Sequence, residues 1–143
     1  LVEKVVNYPM FLKKLKKITK IDPDSPIIAQ EYLPNANRSY RATLIDHKLK
    51  QFIVKISKSW KQSGHEREYF RLVKANKKTK ALCERASRAL GMQVCGLDMI
   101  FNNGKWYIIE ANSCPSFDFI YHDQKRLVNA LADYLHAECK KLG

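Results

Sequence analysis

An amphipathic helix is the first element that the hydrophobic pattern predicts. Within residues 7–19, the apolar residues fall on one side of a helix; they are Phe11, Leu12, Leu15 and Ile18. Asn7 is a residue type that caps helices well, and a proline follows in the first turn. Lysines occupy positions 13, 14, 16 and 17, so the other side of the helix is expected to face solvent.

Three strands are predicted next. Residues 22–26 contain two prolines and are expected to form a loop. The β-branched and aromatic segments 27–33, 38–45 and 49–57 indicate strands, and a short polar turn joins the last two. This region is therefore predicted to be antiparallel.

The second half of the chain combines helices with a hairpin. Residues 66–74 are predicted to form a short helix, and residues 78–90 a longer one that ends at Gly91. A final helix is predicted over 123–140. Together these elements indicate an α+β domain with a mainly antiparallel sheet and helices packed on one of its faces.

The hairpin is the most informative part of the chain. Apolar runs at 96–101 and 106–112 flank the sequence Asn-Asn-Gly-Lys at 102–105, and an Asn-Gly turn between two such runs is a strong hairpin signal. Asp98 and Glu110 lie at similar distances from this turn. Their carboxylates are therefore expected to face each other across the two strands.

Asn112 adds an amide oxygen to this pair of carboxylates. It follows Glu110 by two residues, and side chains two residues apart point to the same face of a strand. Three converging oxygen donors suit Mg²⁺, which takes one or two carboxylates and leaves its other positions to water and phosphate oxygens. The pattern therefore predicts a metal site formed by Asp98, Glu110 and Asn112.

A simpler interpretation of Asp98 stays open. The chain contains 26 lysine and arginine residues, so Asp98 could be paired with a basic side chain. Its neighbours in the strand are apolar, and a charge in such surroundings needs either a partner of opposite sign or a metal ion.

Composition limits the classes of protein that fit. With 143 residues, 45% of them hydrophobic, the chain can form a single domain with its own core. The net charge of +12 favours polyanionic partners such as nucleotides, acidic polypeptides or nucleic acid. Because lysines are concentrated at 13–20 and 74–80, a non-catalytic module that binds nucleic acid is one interpretation.

The cysteines and the absence of long apolar runs indicate a cytoplasmic protein. No apolar run approaches the roughly 20 residues that a membrane-spanning helix needs, and no secretory signal pattern opens the chain. Because the first residue is Leu1, we expect the chain to be a piece of a longer protein. The cysteines lack metal-ligand spacing and are interpreted as reduced thiols; they are Cys83, Cys95, Cys114 and Cys139.

The hairpin sequence resembles that of a known family. Gly-Leu-Asp-Met-Ile at 96–100 and Ile-Ile-Glu-Ala-Asn-Ser-Cys-Pro at 108–115 resemble the metal-binding hairpin of ATP-grasp enzymes, in particular carboxylate–amine ligases of the RimK and glutathione-synthetase type. Residues 27–33 resemble the hinge that holds adenine in that family. Residues 38–45 resemble its following strand, and residues 86–91 the helix before the aspartate strand. The chain thus resembles the C-terminal part of an ATP-grasp enzyme, with 1–143 as one subdomain.

This resemblance implies a function and a set of site residues. The implied enzyme uses ATP and Mg²⁺ to form an acyl phosphate from a small-molecule or peptide carboxylate and passes the acyl group to an amine. Asp98, Glu110 and Asn112 are the implied ligands of two Mg²⁺ ions, which Mn²⁺ could replace. Arg41 and Lys55 are the implied catalytic cations. The implied nucleotide-binding residues are Gln30, Glu31, Tyr32, Leu33, Ser39, Leu97 and Ile109.

Two departures from the family pattern keep alternatives open. The family's phosphate-binding lysine and glycine-rich loop have no counterpart here, and the chain contains only 5 glycines. The remainder of the ATP-grasp protein is therefore an expected partner, and the isolated chain is expected to be inactive. Ser39 stands where the family usually has an acidic residue for the ribose hydroxyls. The alternatives are an ATP-grasp kinase of an inositol phosphate or similar polyanion, and a degenerate ATP-grasp module.

Overall fold

The chain divides into two compact units, Leu1–Pro34 and Asn35–Gly143. The computed structural model describes residues 4–24, 26–33, 38–56 and 69–142. The first unit contains helix α1 (Tyr8–Ile21), and the side chain of Asn7 caps it by accepting a hydrogen bond from the backbone N–H of Met10 at 2.9 Å. The predicted helix and its cap are confirmed, whereas a single subdomain over 1–143 stays a prediction.

The second unit is built on one antiparallel sheet. Its strands are β1 (Arg38–Ile45), β2 (Lys48–Ile56), β3 (Tyr69–Leu72), β4 (Val94–Asn102) and β5 (Lys105–Asn112). They lie in the order β3-β2-β1-β4-β5, and every neighbouring pair is antiparallel. The predicted α+β class is therefore confirmed. No helix in the described ranges has the length and apolar character needed to span a membrane. The helices of this unit are α2 (Lys77–Ala89) and α3 (Tyr121–Leu142).

Both hairpins of the sheet close through two-residue turns with left-handed backbone. Asp46 and His47 join β1 to β2 with φ of 54° and 55°, and Asn103 and Gly104 join β4 to β5 with φ of 48° and 76°. Positive φ at both positions is typical of the type I′ turn, whose twist matches that of the strands. The hairpin predicted from the Asn-Gly pair is confirmed.

One face of the sheet forms the core with α2. Leu44, Phe52, Leu97 and Met99 are buried there together with Cys83 from α2. Burial raises the pKa of the Cys83 thiol to about 11, because the thiolate would lose its hydration in these surroundings. The thiol therefore stays protonated and behaves as a small apolar side chain.

Helix α3 packs against the other face. Gln51 precedes the core residue Phe52 in β2, so its side chain points away from the core, and its Nε2 donates to Asp123 Oδ2 at 2.8 Å. Leu127, one turn further along α3, is fully buried. The expectation of helices on one face therefore needs a correction, because α2 and α3 lie on opposite faces and each covers an apolar part of the sheet.

Two predicted elements differ from the structure. Residues 27–33 were expected to be a strand, but the structure describes no strand there, and Ile28 is 86% exposed. The predicted helix over 66–74 is wrong in its described part, since Tyr69–Leu72 form β3 against β2; residues 66–68 lie outside the described ranges. Short apolar runs fit helix and strand periods alike. Residues 69–72 form a strand because they pair with the edge of β2.

We predict that Asp123 stabilises the fold in a pH-dependent way. Its buried carboxylate accepts hydrogen bonds from Gln51 and from Arg126, whose Nε lies 2.6 Å away. The hydrogen bond from Arg126 is the main cause that lowers the pKa of Asp123. An aspartate with a lowered folded-state pKa stabilises the protein above its unfolded pKa of about 3.9, and this effect is lost as the pH falls through the folded value.

Asp123→Asn should therefore lower the free energy of unfolding by about 1–3 kcal/mol at pH 7, and the difference from the parent chain should shrink below about pH 4. Urea unfolding at both pH values measures this. Asp133→Asn makes the same chemical change at an exposed position of α3 and should have little effect. An equal loss for Asp123→Asn at both pH values would contradict the assignment.

Candidate active site

The register of three strands brings the predicted metal ligands and Arg41 into one row. Arg41 of β1 lies opposite Asp98 of β4, and Asp98 lies opposite Glu110 of β5. Gly96 lies opposite Asn112 in the neighbouring position of the same hairpin. Paired residues point to the same face, which here is the face opposite the α2 core. The expected meeting of Asp98 and Glu110 across the hairpin is confirmed.

Asp98 is held by Arg41. Arg41 Nε donates to Asp98 Oδ1 at 2.7 Å, and a terminal guanidinium nitrogen donates to Oδ2 at 2.6 Å. This two-bond geometry is the strongest way in which an arginine binds a carboxylate. The side chains are 18% and 34% exposed, respectively, so the pair lies at the border of the sheet and solvent. The simpler interpretation of Asp98, pairing with a basic side chain, is therefore confirmed.

Arg41 is also positioned by residues that the sequence did not single out. The Phe119 ring lies under its guanidinium, with 4.8 Å between the ring centroid and the guanidinium carbon, and packs against Phe70 of β3 at a centroid distance of 5.1 Å. An arginine over an aromatic face gains a cation–π attraction. These contacts join segments far apart in sequence, and no local motif reveals them.

Gly96 provides the space in which this arrangement forms. A Cβ at this position would lie 3.1 Å from Pro115 Cβ and 3.8 Å from Arg41 Nε. The first distance is shorter than ordinary van der Waals contact. Glycine therefore lets the segment after β5 close over β4 beside Arg41.

Glu110 is the most accessible of the predicted ligands. Its side chain is exposed, and it makes no hydrogen bond or ion pair with the described residues. A bulge follows directly, since Asp98 pairs with Glu110 but Met99 pairs with Ile108, which leaves Ile109 as the extra residue. The row of Arg41, Asp98 and Glu110 contains two carboxylates and one guanidinium, so its own formal charge is negative.

Asn112 has its amide oxygen engaged locally. The backbone N–H of Cys114 donates to Asn112 Oδ1 at 2.9 Å, an Asx turn that fixes the start of the segment leading to α3. A carbonyl oxygen has two lone pairs, so this contact leaves one for a metal. The Asx turn therefore orients the amide and leaves its oxygen able to act as a metal ligand.

The residues present fit a hard divalent cation. The donors are two carboxylates and one amide oxygen, the ligand chemistry that Mg²⁺ prefers, and their net charge with Arg41 is negative. Within residues 4–24, 26–33, 38–56 and 69–142, no group of three or more His, Cys, Asp or Glu side chains is arranged to hold a metal. A cation at this row would therefore have only two protein carboxylates and would depend on water or phosphate for its other ligands.

Lys55 and Ser39 share the face of Arg41. Ser39 lies two residues before Arg41 in β1 and opposite Lys55 in β2. Ser39 is buried, and Lys55 is half-buried. Both side chains therefore lie on the sheet face that carries the predicted ligands, in the row next to Arg41.

Leu97 does not lie at this face. It is fully buried in the core with Leu44 and Met99, because neighbouring residues of a strand point to opposite faces and Asp98 faces outward. The prediction of Leu97 as a nucleotide contact is therefore wrong. Ile109 at the bulge is 42% exposed, and its role stays a prediction.

The predicted adenine hinge lies in the first unit. Gln30 and Glu31 are exposed, Leu33 is buried, and Tyr32 is covered by Lys4, whose Nζ lies 3.8 Å from the ring centroid. Because no strand forms here, the backbone N–H and C=O groups of these residues are not hydrogen-bonded to a neighbouring strand within the described ranges. Their part in nucleotide binding stays a prediction.

Comparison with known proteins relates the chain to ATP-grasp ligases. A family model of the RimK-like ATP-grasp domain matches residues 6–135. A protein of Saccharophagus degradans named probable alpha-L-glutamate ligase is 26% identical over 126 residues, which is 80% of this chain and 39% of that protein. The chain thus spans well under half of that relative's length.

Solved structures show the same fold. D-alanine–D-alanine ligase from Bacillus anthracis complexed with ATP matches with a TM-score of 0.66 and 14% identity, over 99% of this chain and 52% of that one. The ATP-grasp ligase PsnB complexed with a minimal precursor matches with a TM-score of 0.58 and 20% identity, over 74% of this chain and 37% of that one. PsnB with Mg and ADP also matches, with a TM-score of 0.54 and 17% identity over 68% and 33% of the two chains.

We predict that Gly96 and Pro115 are coupled. Gly96→Ala should lower the free energy of unfolding by about 1–3 kcal/mol, because the added methyl group overpacks the contact with Pro115. Pro115→Gly removes the opposing Cβ, so the double variant should be less destabilised than the sum of the single variants by at least about 0.5 kcal/mol. Urea unfolding of the four proteins measures this coupling.

Gly104→Ala is the control for this prediction. It faces open space but has a φ of +76°, so it should destabilise through backbone strain of about 1 kcal/mol and show no coupling to Pro115→Gly. If the effects of Gly96→Ala and Pro115→Gly are additive, the contact with Pro115 is not the reason for a glycine at position 96.

Proposed function

Because this chain belongs to the RimK-like ATP-grasp family, we propose that it carries the metal-binding and phosphate-binding face of an ATP-dependent carboxylate–amine ligase. The observation that supports this most is the row of Arg41, Asp98 and Glu110 on adjacent strands, with Asn112 beside it. Since the chain spans 39% of the glutamate ligase that it matches, the activity of the whole protein is part of the proposal.

The proposed reaction has two steps. An oxygen of the substrate carboxylate forms a bond to the γ-phosphorus of ATP while the bond to the bridging oxygen breaks and ADP leaves. The nitrogen of an amine then attacks the carbon of the acyl phosphate, phosphate leaves, and the amine loses a proton to solvent. Both steps bring anionic groups together, so the protein contributes mainly orientation and charge neutralisation.

In this proposal Asp98, Glu110 and Asn112 hold Mg²⁺, and Glu110 is proposed to serve two ions. When bound, the cation neutralises phosphate oxygens and the charge that develops on them. Mn²⁺ has similar ligand preferences and could replace it. The protein's own role is to place two carboxylates opposite each other on adjacent strands, where a cation would offset their like charges.

Arg41 is proposed to change partner during the reaction. Arg41 is paired with Asp98, and phosphate oxygens would offer its guanidinium an equivalent two-bond partner. If Asp98 turns to a cation, Arg41 is released beside the phosphates while Phe119 still supports it. Arg41 would thus neutralise the Asp98 carboxylate before nucleotide binds and phosphate oxygens afterwards. Lys55 is proposed as a second cation at the phosphates.

Nucleotide and substrates complete the proposal. Gln30, Glu31, Tyr32 and Leu33 are proposed to hold adenine, and Ser39 and Ile109 to contact the nucleotide. The carboxylate and amine are proposed to be small molecules or peptides, in keeping with a relative named as a glutamate ligase. The remainder of the ATP-grasp protein is proposed to supply the phosphate-binding loop, and the cytoplasm remains the expected location.

Metal binding provides the first test. We expect the chain to bind Mn²⁺, used as a probe for Mg²⁺ and followed by water-proton relaxation. Asp98→Asn and Glu110→Gln should each weaken binding at least about tenfold, which corresponds to 1.4 kcal/mol. Asp133→Asn, an exposed control on α3, should leave affinity unchanged. Equal affinity in all variants would refute the metal site.

Activity separates the ligase from its alternatives. In the longest natural polypeptide that contains this chain, a ligase should release phosphate from ATP only when both a carboxylate and an amine are present. Phosphate transfer to an inositol phosphate would instead identify a kinase. Salt-sensitive binding of oligonucleotides that persists in Asp98→Asn, without any metal dependence, would favour the nucleic-acid module.

Arg41→Gln should act in opposite directions on two measurements. Without nucleotide, Mn²⁺ affinity should rise about fivefold, because a unit charge a few Å away is worth about 1 kcal/mol even at the dielectric constant of water. The preference for ATP over ADP in the presence of metal should fall, because the proposed γ-phosphate contact is lost. Arg71→Gln, an exposed control on β3, should change neither value; a drop in Mn²⁺ affinity for Arg41→Gln would contradict the exchange.

A further inference from the structure

The outward side of helix α2 carries basic side chains only. The opposite side of the helix packs on the sheet through Thr79, Cys83 and Ser87, which are buried. Every exposed charged side chain of the helix is a lysine or an arginine. These side chains form the basic face of α2, and they are Lys77, Lys78, Lys80, Arg85 and Arg88.

The one acidic residue of α2 serves the fold. Glu84 is half-buried, and its Oε1 accepts a hydrogen bond from the backbone N–H of Leu49 in β2 at 3.2 Å. Lys80 and Arg88 approach its carboxylate only to 3.9 Å. The other three cations of the basic face make no salt bridge with any residue in the described ranges. Five cations against one carboxylate leave the helix with a net charge of +4.

Three of these lysines stand where the helix itself disfavours them. The first turn of α2 contains Lys77, Lys78 and Lys80 and no acidic residue. The N-terminal end of a helix carries a partial positive charge, so cations there lower its stability. Asn76 caps this end by accepting from the backbone N–H of Thr79 at 2.8 Å, but it brings no charge. The fold therefore gives no reason for the lysines, whereas a bound anion would offset their repulsion.

The spacing along the basic face suits an extended chain. Lys77, Ala81 and Arg85 follow one another at four-residue spacing, which corresponds to a rise of about 6 Å per step. Side chains on one side of an extended peptide recur at nearly the same distance, about 6.6 Å. The 13 residues of α2 span about 20 Å, the length of roughly six extended residues. Ala81 is small and exposed, so a backbone can approach the helix between the two cations.

We propose that the basic face of α2 binds an extended acidic segment of a polypeptide. Alternate carboxylates of such a segment would lie along the row that begins at Lys77 and continues through Arg85 to Arg88. The choice of a polypeptide rests on the proposed function, in which carboxylate-bearing peptides are substrates. Single-stranded nucleic acid binds largely by stacking its bases on aromatic rings, and residues 77–89 contain no aromatic residue.

This docking site is distinct from the charged row. The row of Arg41, Asp98 and Glu110 lies on the sheet face opposite the α2 core, so one side chain cannot contact both. Binding at α2 therefore needs no metal ion. Because the cations of the basic face are exposed, their attraction for carboxylates is screened by salt, and affinity should fall as the ionic strength rises.

Fluorescence anisotropy on the 143-residue chain tests the proposal, with a fluorescein-labelled hexaglutamate peptide as the probe. We expect binding without added metal that weakens with salt. The triple variant Lys77→Gln/Arg85→Gln/Arg88→Gln should weaken it at least about tenfold, since three exposed charge contacts are lost. The circular dichroism spectrum should stay unchanged, because all three positions face solvent.

A matched variant separates the basic face from the charge of the whole chain. Lys125→Gln/Lys140→Gln/Lys141→Gln removes the same three charges from exposed positions of α3. It should change the affinity for hexaglutamate by less than about twofold, because these lysines are not part of the proposed contact.

Charge reversal at the two ends of α2 separates binding from folding. Lys77→Glu and Arg88→Glu should both weaken binding of hexaglutamate. Lys77→Glu should nevertheless raise the urea midpoint, because a carboxylate in the first turn interacts favourably with the helix dipole, whereas Arg88→Glu in the last turn should lower it. A lower urea midpoint for Lys77→Glu would show that the lysine serves the fold and would overturn the argument.

Three further results would overturn the proposal. Equal weakening by the α2 and α3 triple variants would mean attraction to net charge alone. Tighter binding of an oligothymidylate of matched charge, lost in the α2 triple variant, would identify nucleic acid as the occupant. Loss of hexaglutamate binding in Arg41→Gln but not in the α2 triple variant would place the peptide at the charged row. Asp98→Asn and Glu110→Gln should keep peptide binding, so the metal site and the docking site can fail independently.

Discussion

Strand β4 is hydrogen-bonded to β1 on one side and to β5 on the other, and its register fixes the chemistry of the sheet face opposite the α2 core. Asp98 stands opposite Arg41 in one direction and opposite Glu110 in the other. A shift of one residue in either pairing would turn the outward side chains of that strand toward the core. The buried residues on the opposite face, such as Leu97 and Met99, resist such a shift, so the hydrophobic core holds the charged row in place.

The charged row is balanced in a way that favours exchange of partners. Arg41 and Asp98 form a close two-bond ion pair that is only partly buried, and pairs of this kind contribute modestly to stability because water competes with them. Glu110, exposed beside them, adds a negative charge. The Arg41–Asp98 contact can therefore be exchanged for other partners at small cost, as the proposed binding of a cation and phosphate requires.

The segments around the charged row position its side chains. Gly96 admits Pro115, the Asx turn at Asn112 starts the segment toward α3, and Phe119 places an aromatic ring under Arg41. Gln51 and Asp123 then join α3 to the same face. The sheet thus carries the candidate chemistry, while the segment after β5 limits how Arg41 can move.

The sequence alone determined the elements whose signals are local. The helix with the Asn7 cap, the hairpin with its Asn-Gly turn and the facing of Asp98 and Glu110 follow from periods and turn types within a few residues, and the family was evident from the same segments. The Arg41–Asp98 pair joins residues 57 positions apart, and the edge strand β3, the inward position of Leu97 and the Phe119 contact also depend on how distant strands align. Only the tertiary structure could decide these features, because local propensity fixes where an element forms, whereas the burial of the whole sheet fixes which neighbour each side chain meets.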